Sequence, residues 1–341
     1  MGTSQFEAGR RRFLGAVAAG GVGTLLACRH RPSHHPQPDD GSTAAQLRVT
    51  VTTGMIGDLV RLLGGPHLSV HQIMGAGTDP HLYKASRDDA AAILQADLVF
   101  YNGLMLEGKM SELLGQISAK KRAIAVAERL PDELLLDAPD AAGHKDPHVW
   151  MDVGLWSQVA EIIAQELSER DPENRSDYLS NLAALRAELA ELDDYGRSLM
   201  HCIAPAQRVL VTSHDAFRYF GRAYDVEVEA VQGISTESEA GLTRINQLVD
   251  LIVERRIQAV FVESSVPRKS IDAVISGVAS RGHRVTIGGT LYSDAMGPGG
   301  TYEGTYVGMM DHNFTTIAVH LGCPSAPAGG FRQWRKQAAP S

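Results

Sequence analysis

The feature that most constrains the fold is an alternation of short apolar runs with segments of helical periodicity, which extends over most of the 341 residues. The apolar runs are short enough to be buried strands, and the segments between them place apolar residues three or four positions apart, as one face of a helix requires. Strands that alternate with helices favour parallel sheets with crossover connections. The predicted strands span residues 47–53, 68–74, 98–101, 123–127, 208–212, 226–231, 259–263 and 284–287.

One longer helical segment interrupts this alternation. Asp171 is a good N-cap residue, and Pro172 suits the first position of a helix. A helix over residues 172–200 would be about 43 Å long. We therefore predict an α/β fold of two similar lobes, each a parallel sheet flanked by helices, joined by one long interlobe helix. The apolar face of that helix comprises Tyr178, Leu182, Leu185, Leu189, Leu192, Tyr195 and Leu199.

The amino-terminal residues 1–27 are typical of an export signal that is not part of the fold. Three arginines at 10–12 precede an uncharged apolar stretch that is too short to span a bilayer comfortably. The arginines with the following Phe-Leu resemble a twin-arginine signal. The sequence Leu-Leu-Ala-Cys, which ends at Cys28, resembles the bacterial lipoprotein box, so we predict that Cys28 is lipidated. An ordinary cleaved secretory signal is the alternative.

The residues after Cys28 are polar and rich in proline up to about residue 45, which is typical of a flexible tether. The rest of the chain is long enough for two lobes of ordinary domain size. A tail rich in proline, alanine and glycine closes the chain and is expected to fray. The predicted organisation is a signal at 1–27, a tether at 28–45, an N-terminal lobe at 46–170, a linking helix at 171–203, a C-terminal lobe at 204–323 and a tail at 324–341.

Charge and cysteine content exclude several classes of protein. Removal of residues 1–27 leaves 29 basic and 39 acidic residues, a formal charge of −10, with no basic cluster. We therefore expect no nucleic-acid partner. Three cysteines are too few for a cysteine-rich metal site. Cys202 and Cys323 lie in an exported chain, where disulfides are permitted, but the sequence leaves open whether they pair.

The tripeptide Asp-Pro-His occurs twice, at residues 79–81 and 146–148, each time in a predicted loop. Proline fixes its own φ and biases the preceding residue toward an extended conformation, so each imidazole is presented from a stiffened backbone. A histidine and an aspartate follow predicted strands in the second half of the chain. Three imidazoles and one carboxylate suit a borderline divalent cation such as Zn²⁺, with Mn²⁺ also possible. The candidate metal ligands are His81, His148, His214 and Asp294.

All four candidates lie near strand ends, at the edge of an α/β sheet where ligands gather. Because two come from each predicted lobe, we expect the cation to lie between the lobes. Glu263 ends another apolar strand, and three roles stay open for it: direct ligand, hydrogen-bond partner of a ligand imidazole, or cap of the next helix. We expect Asp79 and Asp146 to brace their loops, Trp150 to be a core residue, and Glu107 to face solvent or lie at a hinge.

Five motifs occur in order along the chain and together carry a family resemblance. The chain resembles the metal-specific solute-binding proteins of bacterial ABC importers, the zinc and manganese cluster, over residues 47–322. The motifs are Asp-Pro-His-Leu-Tyr at 79–83, Phe-Tyr-Asn-Gly at 100–103, Asp-Pro-His-Val-Trp-Met-Asp at 146–152, His-Asp-Ala-Phe-Arg-Tyr-Phe at 214–220 and Ser-Asp-Ala-Met-Gly at 293–297.

This resemblance implies a metal ion held between two lobes by the four candidate ligands and delivered to a membrane ABC permease. The ion, Zn²⁺ or Mn²⁺, would be transported cargo, and the protein would be a monomeric periplasmic or cell-surface lipoprotein without catalytic residues. Some manganese-preferring members have Glu at the position of His214, whereas many zinc-dedicated members have a long histidine- and acid-rich loop before the second ligand. In this chain the corresponding segment, residues 141–145, is short and contains a single histidine, His144. The choice between zinc and manganese therefore stays open.

Two alternatives belong to other functional classes. A zinc-dependent hydrolase could use the same residue types, but four protein ligands would fill a tetrahedral zinc site, and the chain contains no His-Glu-x-x-His motif. A surface adhesin could need the metal only to stay folded. The family resemblance favours metal transport over both.

Overall fold

The computed structural model describes residues 46–118, 123–139 and 141–338. The predicted signal at 1–27, the lipidation site Cys28 and the tether up to residue 45 lie outside the described residues. Within the described part of the chain, no helix is long and apolar enough to cross a membrane.

The N-terminal lobe contains a parallel sheet of four strands in the order β2-β1-β3-β4. Helix α2 begins with a capping box in which Ser86 and Asp89 satisfy each other's backbone N–H groups. The strands are β1 Leu47–Val51, β2 Leu68–Gln72, β3 Leu98–Tyr101 and β4 Ala123–Ala125, and the helices are α1 Gly54–Gly64, α2 Arg87–Gln95, α3 Ser111–Ser118 and α4 Val153–Arg170.

Helix α5, Arg175–Cys202, joins the two halves of the chain and is about 42 Å long. All seven apolar residues of its predicted face are buried. It packs against α1 and α4 on one side and against the last helix of the C-terminal lobe on the other. The helix begins three residues later than predicted because Pro172–Asn174 form a 3-10 turn, in which the Asp171 carboxylate accepts hydrogen bonds from the side chains of Asn174 and Tyr178.

The C-terminal lobe contains two pairs of parallel strands, β5 with β6 and β7 with β8, and β5 lies beside β7. The predicted α/β architecture of two lobes joined by a long helix is therefore confirmed. The strands are β5 Val209–Thr212, β6 Glu227–Ala230, β7 Ala259–Glu263 and β8 Thr286–Leu291, and the helices are α6 Arg218–Tyr224, α7 Leu242–Arg255, α8 Lys269–Ser280 and α9 Tyr306–His320.

A single apolar cluster continues through both lobes and the helix between them. It includes Leu59 of α1, Trp156 of α4, Leu189 of α5, Phe220 of α6 and Phe314 of α9, all of them buried. A large separation of the lobes would expose this shared core to water, at a cost proportional to the apolar area exposed. The architecture therefore favours small relative movements of the lobes.

The carboxyl end of the chain differs from the predicted frayed tail over 324–341. Residues Gly330–Ala338 form a helix, α10, which packs on α5 and α9. Phe331 is buried beside Tyr195, and its backbone N–H donates to Asp311. The prediction was wrong because proline and glycine are concentrated before this segment, whereas its aromatic residues find partners on α5. Cys202 and Cys323 form a disulfide, which answers the question of their pairing.

Candidate metal site

Four loops that follow strands bring the candidate ligands to one place between the lobes. His81 lies beyond β2, and His148 lies beyond β4 at the start of a 3-10 turn. His214 is two residues after β5, and Asp294 is three residues after β8. All four side chains are buried. The structure therefore brings all four candidate ligands together.

The distances between the donor atoms suit a small cation. His81 Nε2 lies 3.3 Å from His148 Nε2 and 3.8 Å from Asp294 Oδ2. His148 Nε2 lies 3.3 Å from Asp294 Oδ1, and His214 Nε2 lies 3.2 Å from Asp294 Oδ2. In a tetrahedral zinc site with bonds of about 2.0–2.1 Å, neighbouring ligand atoms are about 3.3 Å apart. One cation could therefore contact all four residues without a large rearrangement.

Three atoms of this cluster are buried without a hydrogen bond of acceptable geometry: His214 Nε2 and both carboxylate oxygens of Asp294. Buried polar atoms without partners cost free energy, and a coordinated cation would remove that cost. Because both oxygens of Asp294 face imidazole nitrogens, the site offers four or five donor atoms. Imidazole and carboxylate donors suit both Zn²⁺ and Mn²⁺.

Two carboxylates behind the cluster orient two of the imidazoles. Asp146 Oδ1 lies 2.8 Å from His148 Nδ1 and accepts from the His148 backbone N–H. Glu263 hydrogen-bonds the Nδ1 of His214 and accepts from its backbone N–H. A bond at Nδ1 leaves Nε2 free for a cation and fixes the plane of the ring. Of the three roles left open for Glu263, the structure therefore places it as the hydrogen-bond partner of an imidazole.

The role of Asp146 went unrecognised in the sequence because the two Asp-Pro-His motifs look alike. Asp79 accepts from the His81 backbone N–H and from the Thr236 hydroxyl, and thus braces its loop as expected. Asp146 makes the same backbone contact but also reaches the imidazole ring of His148. The motif alone carries no signal that separates these two cases.

The carboxylates strongly affect the protonation of the metal-free cluster. Burial by itself lowers the pKa of His148, but Asp146 and Asp294 more than offset this effect and raise it to about 9. Burial likewise opposes protonation of His214, yet Asp294 and Glu263 hold its pKa well above the ordinary value. For His81 burial dominates over the attraction of Asp294 and lowers the pKa to about 3. A cation must therefore displace protons from His148 and His214 but not from His81.

The expectation that Glu107 faces solvent was wrong, because its side chain is buried. Its side chain is buried and accepts hydrogen bonds from the Thr52 hydroxyl and from the backbone N–H groups of Asn102 and Gly103. Positive φ angles at residues 104 and 105 turn the chain so that Glu107 points inward. The Asn102 amide then donates to the carbonyl of Pro147, so this loop supports the segment that carries His148.

Two clefts, each of about 570 Å³, reach the cluster. One is lined by Asp294 together with Met74 and the loop that begins at Gly297. The other is lined by His81 and contains the exposed His144 on its wall. His144 is not part of the four-residue cluster. Each cleft therefore extends to one of the four candidate ligands.

Comparisons with known proteins agree with this arrangement. The chain is 47% identical over 280 residues to the manganese-binding lipoprotein MntA of Bacillus subtilis, covering 82% of this chain and 91% of that protein. It is 41% identical over 312 residues to the zinc-binding protein TroA of Treponema pallidum, covering 92% and 99%. The solved structure of the Treponema pallidum periplasmic zinc-binding protein TroA matches with a TM-score of 0.78 at 40% identity, covering 82% of this chain and all of that one.

Two α/β lobes on a long helix, with a buried cluster of three histidines and an aspartate between them, define the substrate-binding protein of a metal ABC importer. The family model of the zinc-uptake complex component A, periplasmic (ZnuA), matches residues 49–319, and the chain belongs to this family. The predicted family is thus confirmed. Neither the hydrolase nor the adhesin alternative is favoured by these relatives.

Proposed function

We propose that this protein captures Zn²⁺ or Mn²⁺ between its lobes through His81, His148, His214 and Asp294, and delivers the ion to a membrane ABC permease. The observation that supports this most directly is the convergence of three imidazole nitrogens and one carboxylate within 4.8 Å of one another in the protein interior. Relatives named for manganese and for zinc binding support both ions as cargo.

The cluster suits capture and release better than catalysis, so we regard the protein as a binding protein and not as an enzyme. A catalytic zinc site keeps one position for water or substrate, whereas these four residues supply enough donor atoms to complete a tetrahedral site. The buried carboxylates Asp146 and Glu263 hold two imidazoles ready for the ion. The shared core between the lobes would allow release through small movements of the ligand loops.

The proposal extends to the location of the protein. A lipid on Cys28 would hold the chain at the outer face of a membrane, near the permease, in the periplasm or at the cell surface. The lipoprotein names of relatives such as MntA support this. The several acyl chains of a lipoprotein anchor firmly, whereas one chain would bind only marginally. We further propose that the protein acts as a monomer.

The test is elemental analysis of the protein purified without added metal, followed by competition between zinc and manganese. We expect about one bound ion per chain in the wild type and a loss of affinity by orders of magnitude in His148→Ala, which removes one of four ligands. His144→Ala, which removes an exposed histidine outside the cluster, is the matched control and should bind like the wild type. Unchanged affinity in His148→Ala would contradict the ligand assignment.

A further inference from the structure

The segment that leads to His148 is a short antiparallel hairpin in the N-terminal lobe. Asp137 and Lys145 form an antiparallel β-bridge between its two strands, and the backbone N–H of Ala138 donates to the backbone carbonyl of His144. At the end nearest the metal cluster, the Asp146 N–H donates to the Leu136 carbonyl over 2.8 Å. In a regular antiparallel pair, Leu136 N–H would donate back to the Asp146 carbonyl.

A tyrosine hydroxyl from the other lobe stands in place of that reciprocal bond. The Leu136 N–H donates to the Tyr219 hydroxyl over 2.9 Å, and this hydroxyl donates to the Asp146 carbonyl over 3.0 Å. Tyr219 is fully buried, and burial raises the pKa of its hydroxyl above the ordinary value, so the group keeps its proton and remains a donor. The two strands of the hairpin are thus joined at this end through a side chain of the C-terminal lobe.

The position of this hydroxyl matters because Asp146 is the carboxylate that orients His148. The Tyr219 hydroxyl donates to the backbone carbonyl of Asp146. Oδ1 of Asp146 bonds the imidazole and the backbone N–H of His148. A shift of the Asp146 backbone would carry the carboxylate with it. The ring plane of His148 would then change relative to the other donor atoms.

Tyr219 belongs to a group of residues on one helix that reach the same segment. It lies on α6, five residues after His214. Arg218 on this helix donates to the Asp137 carbonyl over 2.6 Å, and Arg222 donates to the Leu134 carbonyl over 2.8 Å. The helix that follows the His214 loop in one lobe therefore holds the hairpin that leads to His148 in the other.

We propose that Tyr219 is a positioning residue for metal capture: its hydroxyl completes the hairpin that orients Asp146 and, through Asp146, His148. The inference rests on the proposed function and adds a residue outside the cluster of donor atoms. In Tyr219→Phe the Leu136 N–H and Asp146 carbonyl either lose their partner inside the protein or close on each other directly. In either case we expect the backbone of Asp146 to shift.

The same helix provides a matched control. Tyr224 is also buried, and its hydroxyl accepts from the Val153 N–H and donates to Asp193 Oδ1. Tyr224→Phe therefore removes an equal hydroxyl, with a similar pair of hydrogen bonds, from the same helix. None of its partners contacts the donor atoms of the cluster. A general loss of stability would affect both variants alike.

The experiment compares wild type, Tyr219→Phe, Tyr224→Phe and His148→Ala in the full exported protein. Zinc affinity is measured by competition with a chelator, the visible spectrum of bound Co²⁺ reports ligand geometry, and urea unfolding of the metal-free protein reports stability. We expect Tyr219→Phe to lose up to about 10-fold in zinc affinity, the lower end of the range for removing a hydrogen-bond partner of a ligand, because Tyr219 acts on His148 only through Asp146. Its Co²⁺ spectrum should change, while Tyr224→Phe should keep both the affinity and the spectrum.

Equal zinc affinities and equal Co²⁺ spectra in the two tyrosine variants would overturn the inference, even if His148→Ala had lost binding. Wild-type affinity in His148→Ala would instead overturn the ligand assignment of the proposed function. If Tyr219→Phe fails to fold, Arg218→Gln tests whether α6 positions Asp146, because Arg218 is partly exposed, donates to the Asp137 carbonyl and lies 3.5 Å from Asp146 Oδ2. It should bind zinc more weakly than Tyr224→Phe, and equal affinity of those two would count against the inference.

Discussion

The indole N–H of Trp150 donates to the backbone carbonyl of Ser293 over 2.9 Å, which links the two lobes directly beside the metal cluster. The Trp150 ring also packs edge-on against the imidazole of His148, with ring centroids 5.2 Å apart. Since Ser293 precedes Asp294, one buried side chain contacts a candidate ligand of the N-terminal lobe and the backbone before a candidate ligand of the C-terminal lobe. Trp150 is thus a core residue, as predicted, that also connects the two segments that carry His148 and Asp294.

This link predicts a moderate effect of Trp150→Phe on metal binding. The variant keeps an aromatic ring but loses the hydrogen bond, which is worth about 1 kcal/mol, so zinc affinity should fall about five-fold. Trp156→Phe is the control, since Trp156 is equally buried but its indole N–H makes no hydrogen bond within the described residues. Chelator competition measures both. Equal affinities in the two variants would show that the bond to Ser293 does not position the site.

Metal affinity should rise with pH. In the metal-free protein the pKa of His148 is raised to about 9, and that of His214 is also raised. Both imidazoles are therefore in the positively charged, doubly protonated form near neutral pH. The cation must displace these protons, and its apparent affinity therefore increases as the pH rises toward 9. Competition titrations between about pH 6 and 9 test this, together with calorimetry in buffers of different ionisation enthalpy to count the protons released.

Asp146→Asn is the informative variant for this pH dependence. It removes a carboxylate that raises the pKa of His148, so fewer protons should be released and the slope of affinity against pH should be shallower. The affinity at high pH should nevertheless be weaker, because the imidazole loses its orienting partner. A wild-type affinity that is independent of pH across this range would contradict the protonation of the histidines.

Metal removal should lower the stability of the protein. A cation that binds only the folded chain stabilises it by about 4 kcal/mol at a free concentration 1,000 times its dissociation constant. We expect zinc to raise the midpoint of thermal unfolding of the wild type but not of Asp294→Ala. Asp250→Ala removes an exposed carboxylate on α7 and should keep the full shift. A zinc-induced shift that survives in Asp294→Ala would point to binding elsewhere.

The C-terminal helix should contribute to stability and not to metal binding. Phe331 on α10 is 1% exposed and packs beside Tyr195 of the interlobe helix. Its replacement by alanine should reduce the free energy of unfolding by about 3–5 kcal/mol, as for other buried phenylalanines. Leu242→Ala, at a site that is 79% exposed, should change it by less than about 0.5 kcal/mol. Urea unfolding measures both, and a Phe331→Ala protein as stable as the wild type would show that α10 is not docked.

Local patterns were sufficient for much of the fold. The alternation of apolar runs and helical periods predicted a strand near each of the eight strands of the described residues, because a buried strand and an amphipathic helix each leave a period in the sequence. The last one was placed at 284–287, whereas β8 continues through Gly288 and Gly289 to Leu291. The apolar face of α5 was predicted residue by residue for the same reason. Helices α3 and α10 were not predicted; α10 depends on partners such as Tyr195 that are distant in sequence.

The sequence by itself determined the class of fold and nominated the four residues that converge, since each follows a strand and parallel strands end at one edge of a sheet. Only the tertiary structure decided which carboxylates face the imidazoles: Asp146 but not Asp79, and Glu263 behind His214. The tertiary structure also decided that the Glu107 side chain is buried and that the Tyr219 hydroxyl, from the C-terminal lobe, bonds the Asp146 backbone carbonyl in the N-terminal lobe. Periodicity encodes which face of an element is buried, whereas the direction and partner of a single side chain depend on segments that meet only after the chain has folded.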